Sequence, residues 1–286
     1  MKIVTDCAAD LTAEDIAEHG ITVAPLFIQF PNQEISATEI APDEFYDRLR
    51  QMSPEIPTTA QPSAELFTRL YEQLSQSGEE VCSIHISSGL SGTVDSARLG
   101  ANHVRDGRVH VFDSLTLSGG QRFQVLAAAK AFQAGWSLEA VTRRLEQLRE
   151  STEVIFTLET LTYLARGGRI GRVQALAGAL LNIKPLIRVE HTDGKYSTVG
   201  KTRTIAKSLE AIAAHLAEEY QQTPLWVAVM HGQFAEQAQQ LAGLLQDRLN
   251  VGRLEILRIS PVLGVHTGPG VVGAAVAPLR LLEDLG

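Results

Sequence analysis

The stretch VCSIHISSGLSGTVDSARL, Val81 to Leu99, decides how this chain is read. Its first six residues form an apolar run of strand length, and the SSGLSGT from Ser87 to Thr93 is turn chemistry. From about Val94 to Val104 the apolar spacing is helical. Strand, polar turn and helix make half of a βαβ unit, and an α/β layer with a largely parallel sheet requires that unit to recur.

It does recur. KIVTD (Lys2 to Asp6) reads as a buried strand and DLTAEDIAEHG (Asp10 to Gly20) as a capped helix closed by glycine. TVAPLFIQF reads as a further strand, PDEFYDRLRQM as a helix, and the proline-bounded EIPTTAQPS leads into a helix over AELFTRLYEQL. RVHVFDS is the next strand, followed by helices from about Leu117 to Ala134 and from Leu138 to Glu150. Between these two, Gly135-Trp136-Ser137 pairs a C-cap with an N-cap.

From Glu153 the rhythm changes. VIFTLE is a strand, TLTYLARGGRIG a helix with a glycine-rich turn, and VQALAGALLNI an apolar helix with small residues at Ala175, Ala177, Gly178 and Ala179. PLIRVEHTDGKYSTVGKT reads as a hairpin with a type I′ turn at Asp193-Gly194. A helix over IAKSLEAIAAHLAEEY, a strand over PLWVAVMHG, a helix over AEQAQQLAGLLQDRL, and strands over RLEILRIS and VVGAAVAP complete the chain. The expected architecture is therefore α/β in two domains. Residues 1–153 form an N-terminal parallel α/β domain, and residues 154–286 form a C-terminal mixed-sheet α/β domain whose last segment has the option of crossing over.

Composition narrows the function. The 286 residues are 44% hydrophobic and 20% charged, with a formal net charge of −8. An acidic balance without a basic cluster argues against nucleic-acid binding. MKIVTDCAADL is expected to be no secretory leader, and no apolar run reaches the length of a membrane span, so a cytoplasmic protein is expected. Its two cysteines, Cys7 and Cys82, are then expected to be reduced.

Several catalytic patterns fail at single positions. SSGLSGT resembles the nucleophile elbow G-x-S-x-G, but Thr93 replaces the second glycine. KYSTVGKT resembles a P-loop, but Lys195 stands where the first glycine is needed, and a hairpin strand is the wrong support for a phosphate cradle. The eight histidines show no spacing that would hold a metal. What remains are hydroxyls at two predicted helix starts, in Thr58-Thr59-Ala60-Gln61-Pro62-Ser63 and in Ser91-Gly92-Thr93. Such starts combine free amides with a positive dipole end, which suits a small anion. His266 is a third polar element, alone in the apolar SPVLGVHTGPGVVGAAVAP.

TDCAADLT, TAQPS, SSGLSGTVDSA, FDSLTLSGG, TLTYLARGGRIG, NIKPLI and PVLGVHTGPGVVG occur in one order, and together they resemble the DegV family of fatty-acid-binding proteins across almost the whole chain. That resemblance implies a two-domain α/β fold holding one long-chain fatty acid, the tail buried and the carboxylate near the interdomain cleft, with no cofactor and no catalysis of its own. It implies that Thr59, Ser91, the Gly92 amide and His266 hold the carboxylate, with Arg169 adding positive potential. Better-characterised members are binding subunits of a fatty acid kinase system and present the acid to a separate ATP-binding partner. Thr58, Lys201 and Arg203 are the further cleft or partner-facing positions it implies. Two departures stand out: Ala60 replaces a usual second hydroxyl, and Cys7 replaces the serine of T-D-S. Two alternatives stay open, an esterase or acyltransferase with Ser91 as nucleophile and His266 as base, and a carrier of another amphiphilic carboxylate.

Overall fold

The computed structural model describes residues 1–76, 78–104, 108–174 and 183–285. The apolar helix expected over VQALAGALLNI, including Ala175, Ala177, Gly178 and Ala179, lies outside them except at Val173, Gln174 and Ile183.

Among the described residues, thirteen strands build three sheets. In the first, β1 (Lys2–Asp6), β2 (Thr22–Ala24), β6 (Val81–His85) and β7 (Val109–Asp113) run parallel in the order β2-β1-β6-β7. Helices Ala13–His19, Ala64–Ser75 and Thr93–Ala101 supply the return crossings. The first is closed at its start by a capping box, in which Asp15 N–H donates to Thr12 Oγ1 and Thr12 N–H to the Asp15 carboxylate. A second, small antiparallel sheet has the order β4-β3-β5, from β3 (Phe27–Phe30), β4 (Gln33–Ser36) and β5 (Thr58–Ala60).

This small sheet departs from the expectation in two places. TVAPLFIQF is two strands in two sheets, because Pro25 has no N–H for a ladder and the chain leaves the parallel sheet there. Thr58–Ala60 is an edge strand where loop chemistry was expected.

The third sheet is mixed. Its strands β8 (Glu153–Leu158), β9 (Lys184–Val189), β10 (Tyr196–Thr202), β11 (Leu225–His231), β12 (Val251–Arg258) and β13 (Val271–Pro278) take the order β10-β9-β8-β13-β11-β12. Only β11 and β12 are parallel; the other neighbours are antiparallel. β13 alternates cleanly: Val272, Ala274 and Val276 face the outer core under helices Ile205–Tyr220 and Ala235–Arg248, while Val271, Ala275 and Ala277 join the main core. The β9/β10 hairpin forms as expected, but its loop is longer than a type I′ turn. Glu190 N–H donates to Lys195 O and Gly194 N–H to Glu190 O, and within Asp193-Gly194 only Gly194 has positive φ, +61°.

Helix Ser118–Gln133 joins the layers. It is buried along nearly its whole length and packs on strands of both large sheets. Close approach requires Gly119: a Cβ there would stand 2.8 Å from Ala275 Cβ and 2.9 Å from the Met230 sulfur. One continuous hydrophobic core therefore runs from Ile3 and Ile84 through Phe123 to Phe156 and Ala275. The residues after β12 form a helix, Pro261–Thr267, in an apolar stretch to which the sequence reading assigned no element. Pro261 occupies its first turn, and Gly268 ends it at φ +75°.

Candidate functional site

Four expected residues converge on one cavity, although they come from four separate parts of the chain. Thr59, Ser91, Arg169 and His266 line it, together with Leu26, Ile86, Leu90, Tyr196, Val262 and Leu263. Thr59 projects from β5, and its Oγ1 lies 2.8 Å from Nε2 of His266, 207 positions away. Because successive residues of a strand face opposite ways, Thr58 points outward, where its hydroxyl donates to Gln29 Oε1 at 2.9 Å. Thr58 lines an outer groove beside Phe30, Pro31 and Ile56 and takes no part in this chamber.

Ser91 precedes helix Thr93–Ala101. Its hydroxyl accepts from Thr93 N–H at 3.3 Å and pairs with Thr93 Oγ1 at 2.8 Å. Gly92 is the N-cap of that helix. A Cβ on it would meet the Gln61 amide at 2.6 Å, so only glycine lets Gln61 lie flat on the helix start. Gln61 in turn donates to Ser96 Oγ at 3.3 Å. Sequence reasoning placed TAQPS and SGLSGT as separate helix starts; the structure stacks one upon the other.

Arg169 does two kinds of work. Its Nη1 donates to Gly167 O at 2.8 Å and its Nε to Leu90 O at 3.4 Å, which fixes the backbone beside Ser91. Its charge also acts on His266. Burial and, after it, the Arg169 guanidinium push that imidazole down to about 4, so the ring is neutral at pH 7. His266 Nδ1 has no partner among the described residues and faces Gly167, where a Cβ would stand 2.2 Å from it. The glycine-rich GGRIG thus makes room for the ring as well as supplying the arginine.

The esterase geometry is not formed. Ser91 Oγ is bonded to Thr93, His266 Nε2 to Thr59, and no carboxylate among the described residues orients Nδ1. Lys201 and Arg203 are exposed, on and just beyond edge strand β10, and do not line the chamber.

A second cavity lies against the first. Leu117, Val154, Phe156, Met230, Ile259, Leu263 and Val271 give it apolar walls, and Ser118 and Thr267 also line it. Tyr196 and Leu263 line both cavities. Sequence reasoning missed these two, since a tyrosine opening a hairpin strand and a leucine in an apolar run carry no local signal.

Among the described residues, no group of three or more His, Cys, Asp or Glu could hold a metal ion, and no helix is long and apolar enough to cross a membrane. Cys7 and Cys82 are free thiols, both pushed up to about 12 chiefly by burial.

A family model described as "Uncharacterised protein, DegV family" matches residues 1–279. A DegV domain-containing protein of Deinococcus radiodurans is 36% identical over 277 residues, covering 96% of this chain and 95% of the relative. Among solved structures, one of fatty acid binding by a DegV family protein from Thermus thermophilus superposes with a TM-score of 0.91 at 34% identity, covering 97% of this chain and 99% of that one. A stearic acid-binding protein from Eubacterium ventriosum gives 0.87 at 28% identity, covering 97% and 98%.

Proposed function

The chain belongs to the DegV family, and on that premise we propose that it binds a long-chain fatty acid, carboxylate in the Thr59–Ser91–His266 chamber and tail in the apolar one. The observation that carries this reading is the adjacency of the two chambers, one with convergent hydroxyls and a guanidinium, the other with aliphatic and aromatic walls. The same premise treats residues 1–153 and 154–286 as two domains, with the chamber between them.

The energetics fit. A sixteen-carbon tail buries about fifteen methylenes at roughly 0.8 kcal/mol each, before the costs of association and chain ordering. Its carboxylate enters a poorly solvated chamber and needs donors there. With His266 neutral, an Nε2–H directed at Thr59 Oγ1 leaves the threonine's own proton free for the carboxylate, and the unpartnered Nδ1 is then a bare acceptor. Ser91 at the helix start adds a second hydroxyl, the Gly92 amide faces the same end of that helix, and Arg169 supplies the countercharge.

The protein so described is a carrier without chemistry of its own, acting in the cytoplasm, where ATP is available to a partner. The bound acid's carboxylate oxygen attacks the γ-phosphorus of ATP held by a separate kinase subunit, the bond from that phosphorus to the β,γ-bridging oxygen breaks, and acyl-phosphate and ADP result. Lys201 and Arg203 are placed on an exposed strand suited to such a partner. Mass spectrometry of lipid extracted from the purified protein is the direct test. A long-chain acid in about equimolar amount is expected; absence of any acid, with no displacement of a fluorescent acyl probe by added acid, overturns the reading. A different amphiphilic carboxylate in the extract would point to the Ala60 departure.

A further inference from the structure

We propose that Tyr196 and Leu263 form a collar between the two chambers that selects against acids branched next to the carboxylate. This rests on the fatty-acid reading above. The chambers are separate cavities in this structure, and among the described residues these two side chains are the ones common to their walls, so a chain running from one to the other passes between them.

Both sides of the collar are backed. Tyr196 is 5% exposed, its ring set edge-on against Phe156 with centroids 5.4 Å apart, and its backbone is paired with Val189 on β9. Leu263 is 7% exposed on helix Pro261–Thr267. That helix cannot retreat: a Cβ at neighbouring Gly264 would stand 2.7 Å from the Phe45 ring and 2.8 Å from the Tyr46 hydroxyl. A packed interior yields little to added volume.

The collar is also in register with the head-group donors. Two residues before Tyr196, the Gly194 carbonyl accepts from Ser87 Oγ at 2.9 Å, in the loop that carries Leu90 and Ser91. A Cβ at Gly89 in that loop would stand 2.4 Å from Asp193 O, so hairpin tip and loop are in direct contact. Arg169 completes the tie through Leu90 O. A carboxylate on Ser91 and Thr59 therefore places its first carbons at the collar. Plain methylenes pass; a methyl branch there meets the Tyr196 ring or the Leu263 methyls. A branch at the far end of the chain lies in the second chamber and does not meet the collar.

The test is competition of hexadecanoic, 2-methylhexadecanoic and 15-methylhexadecanoic acids against a fluorescent acyl probe. In the wild type the 2-methyl acid is expected to bind at least about 10-fold more weakly than the unbranched acid, within the range that one extra methyl commands in a tight pocket. The 15-methyl acid is expected within about 3-fold. Leu263→Ala should reduce the 2-methyl penalty to about 3-fold or less while still binding the unbranched acid, and Leu263→Val, the milder change should Leu263→Ala fail to fold, should give an intermediate penalty. Equal wild-type binding of the 2-methyl and unbranched acids, or a penalty unchanged in a folded Leu263 variant, overturns the collar and leaves the carrier standing. Failure of the wild type to bind any of the three overturns both.

Discussion

His85 and His266 each hold a hydroxyl at Nε2, yet they belong to different chemistry. In the parallel sheet, Ser83 Oγ lies 2.7 Å from His85 Nε2, and His85 Nδ1 lies 3.0 Å from Asp6 Oδ2. That is a hydroxyl–imidazole–carboxylate chain of catalytic type, and all three residues are fully buried and line neither chamber. His266 has the access that His85 lacks, and it lacks the acid that His85 has. Residue type alone does not assign a role here. The carboxylate goes where it locks strands together, and the imidazole at the cavity is left neutral, able to orient a threonine and poorly equipped to deprotonate a serine.

The largest effect should come from breaking the buried chain. Asp6 accepts from His85 Nδ1, from Ile86 N–H at 2.9 Å and from Ala8 N–H at 3.0 Å, so it joins β1 to the end of β6. Asp6→Ala strands those donors in a fully buried site, and a loss of about 3–5 kcal/mol in unfolding free energy is expected from denaturant titration. His85→Ala should fall in the same class, with Tyr71 OH, 2.8 Å from Ser83 Oγ, retaining part of the network. A loss under about 1 kcal/mol for both would erase the contrast, because His85 would then be as replaceable as a surface residue.

At the accessible histidine the expected change is in binding. Thr59→Val keeps the shape of the side chain and removes its hydroxyl, so His266 Nε2 loses a partner and, on the proposed carrier reading, the carboxylate loses one too. Affinity for a long-chain acid should fall about tenfold, close to the 1.5–3 kcal/mol range of a hydrogen bond to a charged group at its lower end. Stability should move by much less than in Asp6→Ala. An unchanged dissociation constant, measured by probe displacement, removes Thr59 from the site. His266→Ala should weaken binding less than Thr59→Val and reduce acyl-phosphate formation with a competent kinase more; equal losses in both readouts would count against separate roles.

Much of this contrast was readable in the sequence and part of it was not. β1, β6, β8 and β11 announce themselves as apolar runs, because a strand buried on both faces needs no other signal. β5 is three residues long and lies between Pro57 and Pro62, so turn chemistry dominates its reading, although pairing with β3 is what aims Thr59 inward and Thr58 outward. Helix Pro261–Thr267 hides for the same reason, being short and containing glycine. Thr59, Ser91, Arg169 and His266 were reached through an ordered set of motifs, and none by local periodicity. Tyr196 and Leu263 were beyond both routes: their significance lies in two cavities meeting at them, which is a property of packed volume. Asp6 was visible as the intact aspartate of TDC, but its partner His85 became visible only when β1 and β6 were placed side by side.

The smallest effect concerns the protonation of His266. Burial first and the Arg169 charge second push His266 down to about 4, against an ordinary 6.5. The unfolded chain therefore takes up this proton first as the medium is acidified, so the stability tied to the neutral ring is complete above pH 6.5 and drains away as pH falls toward 4. Other groups titrate nearby: Asp10 and Glu153 are both pushed up to about 7, chiefly by burial, and their contributions run the opposite way, present at low pH and lost as pH rises through 7. Those terms are common to wild type and to His266→Gln, which keeps a polar group beside Thr59, and they cancel in the difference between the two. Between pH 7 and 5.5 the wild type should lose about 1 kcal/mol relative to His266→Gln in paired denaturant titrations. Parallel curves over that interval would mean that the ring titrates normally, and that the cavity is wetter than its walls imply.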